Sequence, residues 1–87
     1  MESYRVEIKV SAIRELEAIG QKGDRQRVAR RIRALGTEPR PPGWQKLAGV
    51  EERYRIRQGR YRVIYAVDDA ERVVTVFRIG DRKDVYR

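Results

Sequence analysis

The chemistry open to this sequence rests on arginine and tyrosine. Arg55, Arg57 and Arg62 fall in one stretch, Arg53 to Val67 (RYRIRQGRYRVIYAV), that contains no acid, and Arg82 and Tyr86 follow near the C-terminus. Guanidinium forks grip phosphate oxygens bidentately. Gathered in one place they suit a reaction in which negative charge builds on a phosphate, because fixed cations favour that transition state over the ground state. A proton acceptor is harder to supply. Arginine, with a pKa above ~12, is a poor base. A phenol starts near ~10 and is drawn toward its phenolate by neighbouring cations. Tyr86 is therefore the candidate general base or proton relay; an aromatic closing the edge of the core, or a platform for a stacked base, fits the same residue.

Other chemistries are missing. The 87 residues include no His and no Cys, which removes the usual zinc and iron ligands, His-based acid–base pairs, thiol nucleophiles and disulfides. No cofactor and no metal site is expected. The glycines Gly20, Gly23, Gly36 and Gly43 sit at expected helix ends and turns and form no phosphate-binding loop. Asp68-Asp69 reads as turn chemistry in preference to a magnesium site. Net charge is +8, and 17 of the 21 basic residues are Arg, a balance that points to nucleic acid or an acidic partner. No apolar run approaches the ~18 residues of a membrane span, and Met1-Glu2-Ser3 does not open a signal peptide, so a soluble, cytoplasmic protein is expected.

These side chains need a scaffold, and alternation supplies it. Tyr4, Val6, Ile8 and Val10 alternate with Arg5, Glu7 and Lys9, as in an amphipathic first strand. Ser11 can cap a first helix with Ile13, Leu16 and Ile19 on its apolar face, and Asp24 a second with Val28, Ala29, Ile32 and Leu35 inward. The second helix also presents Arg25, Arg27, Arg30, Arg31 and Arg33, for which a solvated outer face is at least as good a reading as direct RNA contact; the first helix's acids can also pair with some of them. Pro39, Pro41 and Pro42 make a stiff crossover. Trp44 and Leu47 are expected to pin it to the core.

Arg53 to Val67 then reads as a β-hairpin turning at Gln58-Gly59. In that register Arg57 faces Arg60, Ile56 faces Tyr61 and Arg55 faces Arg62. One face carries Tyr54, Ile56, Tyr61 and Val63; the other carries Arg55, Arg57, Arg60 and Arg62. Like charges opposite one another destabilise a sheet, so four of them on one small surface argue for a polyanion held there. Arg72 to Ile79 reads as a last strand buried on both faces and returning alongside the hairpin. The expected class is α+β in the order β-α-α-β-β-β, a small antiparallel sheet of about four strands against a helical hairpin, with residues 1–87 forming a single domain.

The hairpin RYRIRQGRYRVIYAV, followed by VVTVFRIGDRKDVYR, resembles the RelE branch of the RelE/ParE toxin superfamily. The element order extends the resemblance over the chain, but its specific part is the last 35 residues. The resemblance implies the toxin of a type II toxin–antitoxin system: a metal-independent endoribonuclease (mRNA interferase) that enters the ribosomal A site and cuts messenger RNA. The messenger's 2′-hydroxyl attacks the adjacent phosphate and leaves a 2′,3′-cyclic phosphate, and a cognate antitoxin encoded beside the toxin silences it. By position, Arg55 and Arg57 match two basic residues of the strand before the turn, where some members carry lysine. Arg62 matches the arginine that holds the scissile phosphate. Arg82 matches one that protonates or stabilises the leaving oxygen, and Tyr86 a near-terminal tyrosine that orients or deprotonates the 2′-hydroxyl. Arginine at Arg55 and Arg57 shifts those positions from acid–base work toward electrostatics. The sequence stops at Arg87, where some relatives continue into a helix, so the antitoxin's seat is expected to differ in detail. Two alternatives have other consequences: a ParE-like toxin acting on DNA gyrase, and a catalytically silent RNA- or antitoxin-binding module.

Overall fold

The computed structural model describes residues 3–47, 49 and 52–81. Seven elements follow in order: β1 (Arg5–Ile8), α1 (Val10–Glu17), α2 (Lys22–Ala34), β2 (Gln45–Lys46), β3 (Tyr54–Gln58), β4 (Tyr61–Asp68) and β5 (Val73–Asp81). The strands form one five-stranded sheet in the order β1-β5-β4-β3-β2. The expected α+β class holds, with two corrections. A two-residue strand, β2, pairs Gln45 with Arg55 and Lys46 with Tyr54, so there are five strands where about four were expected. And β1 runs parallel to β5, Arg5 opposite Val73 and Ile8 opposite Val76, while the other pairings are antiparallel.

The helices start earlier than their polar residues suggest. α1 follows Lys9 directly, with Ser11 inside its first turn and no side-chain cap. α2 follows Gln21, leaving Asp24 in the first turn, where it pairs with Arg27 at 2.8 Å. A carboxylate there still complements the exposed N–H groups of the turn. Arg25 Nη1 donates to the carbonyl of Ile19 at 3.0 Å and ties the two helices' connection.

One face of the sheet holds the core. Ala12, Ile19, Val28, Ile32 and Leu35 from the helical layer pack on Tyr54, Ile56, Val63, Tyr65, Val67, Val74, Val76 and Ile79. Each fully buried aliphatic here contributes on the order of 1.5–3 kcal/mol. Ile13 departs from the expected helix face: it is 39% exposed and Ala12 is buried in its stead. β5 is also not buried on both sides. Val74, Val76 and Ile79 point into the core, while Val73, Thr75, Phe77 and Arg78 are half-buried on or beside the other face. Gly36 closes α2 against β1: a Cβ there would meet the carbonyl of Tyr4 at 3.0 Å, and Tyr4 N–H donates to the Gly36 carbonyl at 2.7 Å.

The proline crossover is held by polar contacts. Tyr65 hydroxyl donates to the carbonyl of Pro39 at 2.7 Å. Arg40 straddles Asp69 through both terminal nitrogens, at 3.2 and 3.0 Å, and Tyr4 hydroxyl donates to the same carboxylate at 2.7 Å. The guanidinium and the phenol together hold the Asp69 carboxyl below its ordinary range. Trp44 is 38% exposed and meets Tyr54 edge-on with ring centroids 5.4 Å apart, so it pins the crossover from the rim. Asp68 does the turn work expected of it, accepting from the backbone N–H of Glu71 at 3.0 Å.

Candidate nucleic-acid interface

The side of the sheet away from the helices carries the arginines. The hairpin turns one residue later than expected, at Gly59-Arg60, with Gly59 at φ +60°, a conformation glycine adopts without strain. Gln58 therefore faces Tyr61, Ile56 faces Val63, Arg57 faces Arg62 and Arg55 faces Ile64. Each strand-to-strand pairing has moved by two residues from the expected one. The side-chain period of a strand is also two, so every hairpin side chain keeps the face alternation assigns to it.

Arg57 and Arg62 are thus direct cross-strand neighbours, and Gly80 of β5 flanks Arg62 on its other side. Arg62 is only 8% exposed while Arg57 is open to solvent. Arg55 lies one step along β3. Its guanidinium donates to the Gln45 side chain on β2, which gives that edge strand a part in aiming the group. Ile64 is buried yet stands outside the main core cluster; as the partner of Arg55 and Arg78 it floors this arginine-rich face.

Arg60 does not join the group. Its Nε donates to Asp81 at 2.6 Å, and Asp81 pairs with Tyr61, whose ring packs against the core. The Asp81 carboxylate also raises the Arg60 guanidinium above its ordinary pKa. Three of the four hairpin arginines expected on one face are there, and the fourth is withdrawn by an acid 21 residues away in sequence. Arg82 and Tyr86 lie outside the described residues.

Sequence reasoning passed over two residues on this face. Arg53 continues the alternation of Arg55 and Arg57, and its guanidinium lies 3.8 Å over the ring of Phe77. Lys9 Nζ approaches the same ring at 5.8 Å. The parity of Arg53 was readable, but Phe77 was hidden in the apolar run of β5. It sits at an irregularity where the β4–β5 register slips beside Ile64 and Tyr65. Just beyond, β5 outruns β1, and Glu15 of α1 covers the vacated edge: its carboxylate accepts from Ile79 N–H at 2.9 Å and from Arg78 Nε at 3.3 Å. Pairing with the arginines of α2 was one role open to that acid; it serves the sheet edge.

Comparison with known proteins gives one consistent answer. A family model described as the ParE toxin of the type II toxin–antitoxin system parDE matches residues 6–86. A RelE-like toxin protein of Escherichia coli is 29% identical over 87 residues, covering 95% of this chain and 90% of its own. Among solved structures, the archaeal RelE–RelB complex from Pyrococcus horikoshii aligns at 30% identity and a TM-score of 0.79, over 94% of this chain and 98% of the other. The RelBE2 toxin–antitoxin complex of Mycobacterium tuberculosis aligns at 25% identity and a TM-score of 0.78, over 92% and 99%.

Proposed function

The chain belongs to the ParE and RelE toxins of type II toxin–antitoxin systems, and from that footing we propose that it is a ribosome-dependent messenger-RNA endonuclease. The observation that carries this reading is the shared face of Arg55, Arg57 and Arg62 in a chain so similar to RelE toxins. Arg62 holds the scissile phosphate from its seat between Arg57 and Gly80. Arg57 and Arg55 add positive charge along the strand, where preorganised cations favour the pentacoordinate, more negative transition state.

The reaction needs no metal. The 2′-oxygen bonds to the adjacent phosphorus while the bond from phosphorus to the next nucleotide's 5′-oxygen breaks, giving a 2′,3′-cyclic phosphate and a free 5′-hydroxyl. Tyr86 takes or orients the 2′-hydroxyl proton, and Arg82 protonates or stabilises the leaving oxygen. The partner that silences the toxin is a cognate antitoxin, in keeping with the RelB-bound relatives. The ribosomal A site and its message are the target, reached in the cytoplasm; among the described residues no helix is long and apolar enough to cross a membrane.

Expression without antitoxin should arrest growth and give cuts in translated messages, mapped by primer extension. Cuts that appear equally on untranslated RNA would contradict ribosome dependence. The ParE description of the matching family favours a second reading, inhibition of DNA gyrase. Gyrase-dependent DNA damage with intact messages would decide for it.

A further inference from the structure

Arg53 and Phe77 form a stacked pair on the arginine side of the sheet that the reaction above does not use. Arg53 lies before β3 and Phe77 in β5, so the guanidinium crosses β4 to reach the ring. The residue it crosses is Ala66, next to Tyr65, which pairs with Tyr54. The small Ala66 side chain leaves the path open. The guanidinium then sits 3.8 Å from the ring centroid with Lys9 Nζ 5.8 Å from the same ring, and both Arg53 and Phe77 are half-buried. A planar cation backed by an aromatic ring has one face occupied and the other available. That is the surface on which a nucleobase stacks: every base has a π-face, and Arg adds a cation–π contribution. The pair lies three residues before Gly80, or roughly 10 Å along β5 from the Arg62 position, on the same side of the sheet.

We propose that Arg53, stacked on Phe77, is a positioning platform for an unpaired base of the message next to the nucleotide being cut. This rests on the endonuclease reading. An RNA strand held by Arg55, Arg57 and Arg62 runs past the platform, which fixes the strand's register without touching the scissile phosphate. Stacking tolerates any base, so the platform sets position more than sequence.

The test uses the full chain on ribosomes programmed with a message whose nucleotides around the cut are replaced one at a time by an abasic residue. Single-turnover cleavage is followed against toxin concentration. One abasic position should raise the half-saturating concentration for the unsubstituted toxin by roughly tenfold, the scale of one lost stack, with the maximal rate little changed. Phe77→Leu and Arg53→Gln should raise it similarly on the intact message and be insensitive to the abasic residue at that position. Arg53→Gln keeps the test decisive if Phe77→Leu unfolds. If both variants lower only the unfolding temperature and keep full abasic sensitivity, the pair is a clip between strands and the proposal falls. It also falls if the variants weaken binding equally whichever message base is missing, which would assign the platform to a ribosomal base. Absence of cleavage by the unsubstituted toxin on any message would instead overturn the endonuclease reading, and this site with it.

Discussion

The two faces of the sheet are built from one alternating hairpin and follow opposite rules. On the helix side, Ile56, Val63 and Val76 have no exposed surface, and even the polar atom of Tyr65 is spent on the Pro39 carbonyl. On the other side, Arg55, Arg57 and Arg62 stand together on neighbouring strands, a placement that costs stability through like-charge repulsion. The core face explains why the chain folds. The arginine face sets like charges side by side on neighbouring strands, and it is the surface to which the proposed RNA contact is assigned. The same division separates arginines by role: Arg40, Arg60 and Arg27 meet carboxylates and act as internal ties.

This contrast can be broken most forcefully at Arg62. Arg62→Ala should slow single-turnover message cleavage on the order of 10²–10³-fold, about 3–4 kcal/mol of transition-state stabilisation, as removal of other preorganised donors does. Unfolding measured on the same sample separates chemistry from packing, and full cleavage with a loss only of stability would make Arg62 a structural residue. On the opposite face the effects should exchange. Ile32→Ala, at a residue 1% exposed, should lower unfolding free energy by about 2–4 kcal/mol while the folded fraction cleaves at the normal rate.

Smaller effects sharpen the boundary. Tyr65→Phe should cost about 1 kcal/mol by leaving the Pro39 carbonyl without its donor. Burial pushes the Tyr65 phenol up to about 12. Because its native value lies above the unfolded one, the stability it gives is complete below pH ~10 and is lost as pH climbs toward 12. Denaturant melts across that window should show the alkaline loss in the parent and a flatter curve in Tyr65→Phe. Asp69 has the opposite sign. Its lowered native value means that its stabilisation is present above the usual carboxylate range and fades as pH falls through that value. Asp69→Asn should therefore cost stability at neutral pH, the smallest loss of this set because the ion pair is largely exposed, and should converge with the parent as the acid-side decline sets in below pH ~4.

Alternation made the faces legible. Tyr54, Ile56, Tyr61 and Val63 went to the core side and Arg55, Arg57 and Arg62 to the other, even though the turn moved by one residue. Register depends on which residue takes the positive φ, and Gly59 could occupy either loop position. Pairings distant in sequence were not legible. Nothing local marks Asp81 as the acid that captures Arg60, or Glu15 as the cap for the Ile79 N–H. β2 escaped because two polar residues, Gln45 and Lys46, carry no alternating apolar signal. Phe77 escaped because an aromatic in an apolar run reads as core; it follows buried Val76 and so falls on the arginine side, and the register slip beside it keeps Arg78 there too. The helix starts at Lys9 and Gln21 show that a capping residue in sequence is an option the fold can decline.

The most direct test of the account compares phosphate contacts on the two sides of the molecule. Binding of a short single-stranded RNA, made uncleavable by a 2′-deoxy residue at the cut, is measured against salt for the parent, Arg57→Ala on the sheet face and Arg30→Ala on the exposed side of α2. Each phosphate contact contributes a slope of about 0.7 on single strands. Arg57→Ala should lower the slope by about that amount and Arg30→Ala should leave it unchanged. A slope that falls with Arg30→Ala and not with Arg57→Ala would place the RNA on the helices and contradict the account.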